Sequence, residues 1–170
     1  MKVRINGING NDVVNGEGVS VSLFTQGCPH HCYNCFNPES WDFDGGIEVE
    51  YDELLKDICY KLTANGIHRN LSFLGGEPLV EPNIDLVANL IADTKLYGVP
   101  KIYLWTGYLL EDLIEHAKYS ISMYYILDNV DILIDGPYED DKRDITLKLR
   151  GSSNQRVFTK EEIHQALAKI

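Results

Sequence analysis

The run Val19-Ser20-Val21-Ser22-Leu23-Phe24-Thr25-Gln26-Gly27-Cys28-Pro29-His30-His31-Cys32-Tyr33-Asn34-Cys35 joins two signals in one place. Its first seven residues alternate small and apolar side chains, the period-two pattern of a β-strand. The strand delivers a C-x3-C-x2-C loop at its C-terminal end, so whatever the cysteines hold sits at a strand tip.

Outward from this stretch, strand and helix alternate. From Glu50 to Asn65 the residues Leu54, Leu55, Ile58, Cys59 and Leu62 recur at helical spacing, and Gly66 supplies the stop. Asn70 to Leu74 reads as a short strand ending in Gly75-Gly76-Glu77-Pro78, and Ile84, Leu86, Val87, Leu90 and Ile91 mark a helix following Pro82. Lys101 to Trp105 is a third strand, closed by Thr106-Gly107-Tyr108 and followed by a helix over 109–118 with Leu110, Leu113, Ile114 and Ala117 on one side. Val130 to Ile134 is a fourth, stopping at Asp135-Gly136-Pro137, and Thr159-x-x-Glu162 has the form of a capping box opening a C-terminal helix. Such alternation predicts an α/β fold of βαβ units with a mainly parallel sheet, whose right-handed crossovers bring all strand C-termini to one edge. Loops 28–35, 75–77, 106–108 and 135–138 then share the edge where parallel α/β folds keep their active sites. Residues 1–170 read as a single domain, short of the roughly 250 residues of a full eight-unit barrel.

The charge of the chain narrows its partners. Its 26 acids against 15 bases give a net charge of -11, which argues against nucleic acid and anionic lipid, both of which attract basic surfaces. No apolar run reaches the roughly 20 residues needed to span a bilayer, and Met1 to Gly7 lacks the apolar core of a secretory signal, so a cytoplasmic location is expected. In that reducing compartment, clustered cysteines point to metal binding or redox chemistry rather than to disulfides.

Cys28, Cys32 and Cys35 are the candidate ligands of one cluster. A 4Fe-4S cubane has four irons, so three thiolates leave one iron with an open coordination position. A structural zinc site using the same thiolates with His30 or His31 is the competing arrangement, although no second ligand pair from another segment is present. Cys59 lies on the apolar stripe of its helix and reads as a small buried hydrophobe.

Taken with Gly75-Gly76-Glu77-Pro78 at the next strand end, the cysteine loop resembles the radical S-adenosylmethionine (SAM) superfamily. Further segments resemble, within it, the activating proteins of anaerobic ribonucleoside-triphosphate reductase. They are Val14 to Gly18, Phe36 to Trp41, Trp105-Thr106-Gly107-Tyr108, Asp131 to Tyr138 and Arg150-Gly151-Ser152-Ser153-Asn154-Gln155-Arg156. The resemblance implies a partial (β/α) barrel, and it implies SAM as the group that completes the cluster. Gly75, Gly76 and Glu77 then lie against the methionine amino group, Asn34 and Phe36 against the adenosyl portion, and Thr106 makes a polar contact.

The implied activity is reductive cleavage of SAM and formation of a glycyl radical on the large subunit of the reductase, with an electron donor such as flavodoxin or ferredoxin. Activation of another glycyl radical enzyme such as pyruvate formate-lyase, a small-molecule reaction of the 7-deazaguanine pathway, and a noncatalytic iron-sulfur or zinc module are the alternatives. Tyr103 and Trp105 read as core, His68, His116 and His164 as solvated or capping residues, and Glu139-Asp140-Asp141 as a solvated loop.

Overall fold

In the computed structural model, which describes residues Met1–Ile170, the chain opens with a long strand, β1 (Lys2–Asp12), that its sequence pattern does not announce. Then follow β2 (Ser20–Thr25), β3 (Ile47–Glu50), α1 (Tyr51–Leu62), β4 (Asn70–Gly75), α2 (Glu81–Thr94), β5 (Ile102–Trp105), α3 (Leu110–Ala117), α4 (Ile121–Asn129), β6 (Ile132–Asp135), β7 (Arg156–Thr159) and α5 (Lys160–Leu167). The four expected strands are β2, β4, β5 and β6, and the expected helices are α1, α2, α3 and α5. The capping box forms: Thr159 Oγ1 accepts from the Glu162 amide at 3.3 Å, and Glu162 Oε2 accepts from the Thr159 amide at 2.8 Å.

The strands make one seven-stranded sheet in the order β3-β1-β2-β4-β5-β6-β7. Its centre, β2-β4-β5-β6, is parallel. Both flanks are antiparallel: β1 pairs with β2 and β3, and β7 with β6, so the parallel character is confined to the middle. The fold is thus mixed α/β. No helix is long and apolar enough to cross a membrane.

Side-chain alternation gives the two faces of the central sheet different tasks. Val21, Leu23, Leu71, Phe73, Ile102, Leu104 and Leu133 point to one face and share a single core with residues of all five helices. Phe73, Leu23 and Leu104 are fully buried there, and truncating Phe73 to alanine costs about 3–5 kcal/mol. By register the other face carries Ser22, Ser72 and Tyr103 in one row and Phe24 with Leu74 in the next, followed by Trp105 beside Ile134. That face is covered by loops instead: the Tyr103 hydroxyl accepts from the Glu17 amide at 3.2 Å, and Ser72 Oγ donates to the Asn15 carbonyl at 2.8 Å.

Candidate functional site

A cavity of about 580 Å³ opens on the loop-covered face at the C-terminal tips of the parallel strands. Phe24, Leu74 and Trp105 form an apolar floor, and Cys28, Cys32 and Cys35 line one side of it. The expected convergence of the four strand-end loops is built by specific bonds. The Gly76 and Glu77 amides donate to the carbonyls of Thr25 and Gly27, each at 2.8 Å; the Thr106 amide donates to Ile134 at 2.9 Å, and the Gly136 amide to Tyr108 at 3.0 Å. Each strand tip is therefore latched to its neighbour.

The need for glycine at 75 and 76 is steric. Gly75 has φ +101°, and a Cβ there would stand 2.7 Å from Phe24 Cα; one on Gly76 would stand 2.6 Å from the Gly27 carbonyl oxygen. Beside them Glu77, only 1% exposed, accepts from four donors. These are Thr106 Oγ1, the Gly107 amide and His30 Nε2, each at 2.7 Å, and the Leu79 amide at 2.9 Å. A buried carboxylate is stable only when its lone pairs are satisfied in this way.

The four cysteines are free thiols. Burial, with smaller contributions from Glu77 and Cys32, pushes the Cys28 thiol up to about 11 against the pull of the His30 and His31 amides. Cys32 is also raised by burial and pulled down by the Tyr138 amide. Cys35 Sγ accepts from the Asn37 amide at 3.4 Å. Every sulfur of the loop thus faces a backbone N-H, the arrangement that stabilises thiolate bound to an iron-sulfur cluster.

No three His, Cys, Asp or Glu side chains converge closely enough to share one metal ion. His30 and His31 are also engaged elsewhere: the first with Glu77, the second stacked on Trp41 at 4.5 Å between ring centroids.

The opposite wall comes from the loop between β6 and β7, through Tyr138, Leu147, Leu149, Arg150, Gly151 and Gln155. Gln155 organises it: its Oε1 accepts from the Gly151 and Ser152 amides at 2.9 and 3.2 Å, its Nε2 donates to Gly136 at 3.1 Å, and its carbonyl accepts from Arg150 Nη1 at 2.6 Å. Asn154 Nδ2 adds a bond to the Pro137 carbonyl at 2.7 Å. The Arg150 to Gln155 run is thereby a self-locked turn fastened to the end of β6.

Of the residues proposed from sequence, Cys28, Cys32, Cys35, Phe36, Gly75, Gly76, Glu77 and Thr106 all line the cavity. Asn34 does not: it adopts φ +56°, and its Nδ2 donates outward to Asp140 Oδ2 at 3.0 Å. Asp140 also accepts from the Tyr138 hydroxyl at 2.8 Å, so part of the acidic run is a brace for the cysteine loop and not simply a solvated segment. Tyr103 is buried as expected, but Trp105 is a cavity residue because its strand faces the side without helices. The sequence signal for Trp105 and for the 150–155 turn lay in the longer segments that surround them, not in periodicity.

Comparison with known proteins agrees with this geometry. The family model described as "4Fe-4S single cluster domain" matches residues 14–158. Among curated proteins, the anaerobic ribonucleoside-triphosphate reductase-activating protein of Pasteurella multocida (strain Pm70) is 37% identical over 149 residues, covering 86% of this chain and 91% of that protein. The protein of the same name from Enterobacteria phage T4 is 38% identical over 152 residues (87% and 88%), and that of Escherichia coli (strain K12) 32% over 151 residues (86% and 92%).

Proposed function

The chain belongs to the family of anaerobic ribonucleoside-triphosphate reductase-activating proteins, and from that premise we propose that it is a radical SAM activase acting on the large subunit of such a reductase. The observation that carries the proposal is the meeting of Cys28, Cys32 and Cys35 with Gly75, Gly76, Glu77 and Thr106 around one cavity. Residues 1–170 act as one domain of the partial-barrel type, a reading supported by the parallel centre of the sheet and by the packing of the helices on one of its faces.

Cys28, Cys32 and Cys35 would hold a 4Fe-4S cluster, with SAM as the group that completes it. When bound, the cluster and SAM would supply one-electron reductive chemistry for removal of a hydrogen atom from a glycine α-carbon of the reductase. The protein's part is placement and exclusion of water. Gly75, Gly76 and the Glu77 backbone receive the methionine amino group, while Thr106 fixes Glu77 beneath them. Phe24, Leu74 and Trp105 offer an apolar floor to the adenosyl portion, with Phe36 at the rim. Asn34 contributes through its bond to Asp140, which steadies the loop that carries Cys35. Flavodoxin or ferredoxin supplies the electron.

The test is anaerobic reconstitution and reduction, then incubation with SAM and the large subunit of the anaerobic reductase. A glycyl radical seen by electron paramagnetic resonance is the expected result. Formation of the radical on pyruvate formate-lyase instead transfers the reading to another activase. Failure to form 5'-deoxyadenosine overturns it in favour of an electron carrier or scaffold.

A further inference from the structure

Glu77 has its four donors from three different places: its own turn through Leu79, the tip of β5 through Thr106 and Gly107, and the cysteine loop through His30. His30 stands midway between Cys28 and Cys32. Its Nε2 lies 2.7 Å from Glu77 Oε2, and its side chain is 17% exposed. The ring lies against Gly107, where a Cβ would come within 2.5 Å of His30 Cδ2, and meets Tyr108 edge-on at 4.6 Å. Other side chains of the loop turn away from the strand tips: His31 stacks on Trp41, and Asn34 bonds to Asp140. The loop entrance, before Cys28, is held separately: the Gly27 and Cys28 amides donate to Ser40 and Trp41 at 2.8 and 3.1 Å, and Asn83 Nδ2 donates to the Gln26 carbonyl at 3.0 Å.

We propose that His30 is a positioning residue: its hydrogen bond to Glu77 fixes the Cys28 to Cys32 segment on the tips of β4 and β5, so that the thiols are placed before iron arrives. Because a carboxylate only accepts, His30 Nε2 carries the proton in this bond. The carboxylate of Glu77 is thus occupied within the protein and serves to place the cysteine loop. For its consequence on iron loading the inference rests on the ligand roles proposed above; the strut itself does not depend on them.

Amide hydrogen exchange across 29–35, measured on the full-length protein without iron, tests the strut directly. His30→Phe keeps a ring against Gly107 and Tyr108 but donates nothing; His30→Gln keeps a donor. Loss of a hydrogen bond to a charged partner is expected to speed exchange in His30→Phe about tenfold or more, while His30→Gln stays within about threefold of the parent. Glu77→Ala, which removes both carboxylate oxygens and leaves the residues of the cysteine loop unchanged, is expected to free the same amides. At limiting iron, His30→Phe should also incorporate fewer irons per chain than His30→Gln. Parent-like exchange in His30→Phe, or equal acceleration in both His30 variants, overturns the proposal. Retention of full iron by Cys28→Ala, Cys32→Ala or Cys35→Ala would instead overturn the ligand roles and leave the exchange result standing.

Discussion

The indole Nε1 of Trp105 donates to the backbone carbonyl of Leu149 at 2.6 Å, tying the cavity floor to the loop that walls it. Leu149 holds φ +66°, a left-handed conformation that a branched side chain adopts only under constraint. The bond aims its carbonyl at the indole. Trp105→Phe should therefore cost about 1 kcal/mol of stability and loosen the 144–150 segment. Amide exchange and a roughly tenfold weaker SAM affinity by calorimetry are the measurements; unchanged values for both would show that the wall stands without the bond.

Single alanine substitutions at Cys28, Cys32 and Cys35 should each remove the visible absorption of the reconstituted cluster and at least about 10³-fold of SAM cleavage. Cys59→Ala should keep both, since Cys59 is buried within α1. Its cost is instead a stability loss of about 1 kcal/mol from lost packing. Loss of the cluster in the Cys59 variant would reassign the ligands.

Gly66 and Gly75 separate strain from collision. Both have positive φ, +69° and +101°, but a Cβ at Gly66 meets nothing within 4 Å, whereas at Gly75 it meets Phe24 backbone at 2.7 Å. Gly66→Ala should cost about 1 kcal/mol, from the left-handed backbone alone. Gly75→Ala should cost more than about 2 kcal/mol because β2 must shift. Urea midpoints for the pair decide the matter, and equal costs would refute the collision.

Glu111 is held down to about 2 from its ordinary 4.5, chiefly by its hydrogen bonds to the Arg156 guanidinium. A carboxylate whose folded-state pKa lies below its unfolded value adds stability above the unfolded value and loses it as pH falls through the folded one. With its side chain 66% exposed the pair is screened and contributes less than about 1 kcal/mol. The stability difference between parent and Glu111→Gln should be full at neutral pH and vanish between pH 4.5 and about 2. A difference that persists unchanged at the acid end would place the effect in packing.

The elements that the sequence reveals are those whose pattern is local. β2 and β4 alternate cleanly, α1 and α2 carry their apolar stripes, and the Thr159 cap writes its own signature. β1 escapes such reading because Lys2–Asp12 holds two glycines and three asparagines, poor strand formers. Its conformation comes from pairing on both sides, with β2 and β3. β7 is four residues long, too short for periodicity to show. α4 is rich in isoleucine and tyrosine and owes its helix to the Ser120 cap and to packing on α2 and α5.

At the site, residue type and spacing single out the cysteines and the Gly75 to Glu77 turn. The place of Trp105 depends on which face of the sheet lacks helices, and the outward turn of Asn34 on an aspartate 106 residues away. Neither relation is written in a short window of sequence.

The absence of room at Gly75 and Gly76 makes the cysteine loop and the Gly-Gly-Glu-Pro turn a single transplantable part. Because Phe24, Thr25 and Gly27 lie against those two glycines, residues 24–35 carry their geometry only in the company of 75–78. A designer who grafts the cysteine loop onto another parallel sheet must bring the neighbouring turn with it.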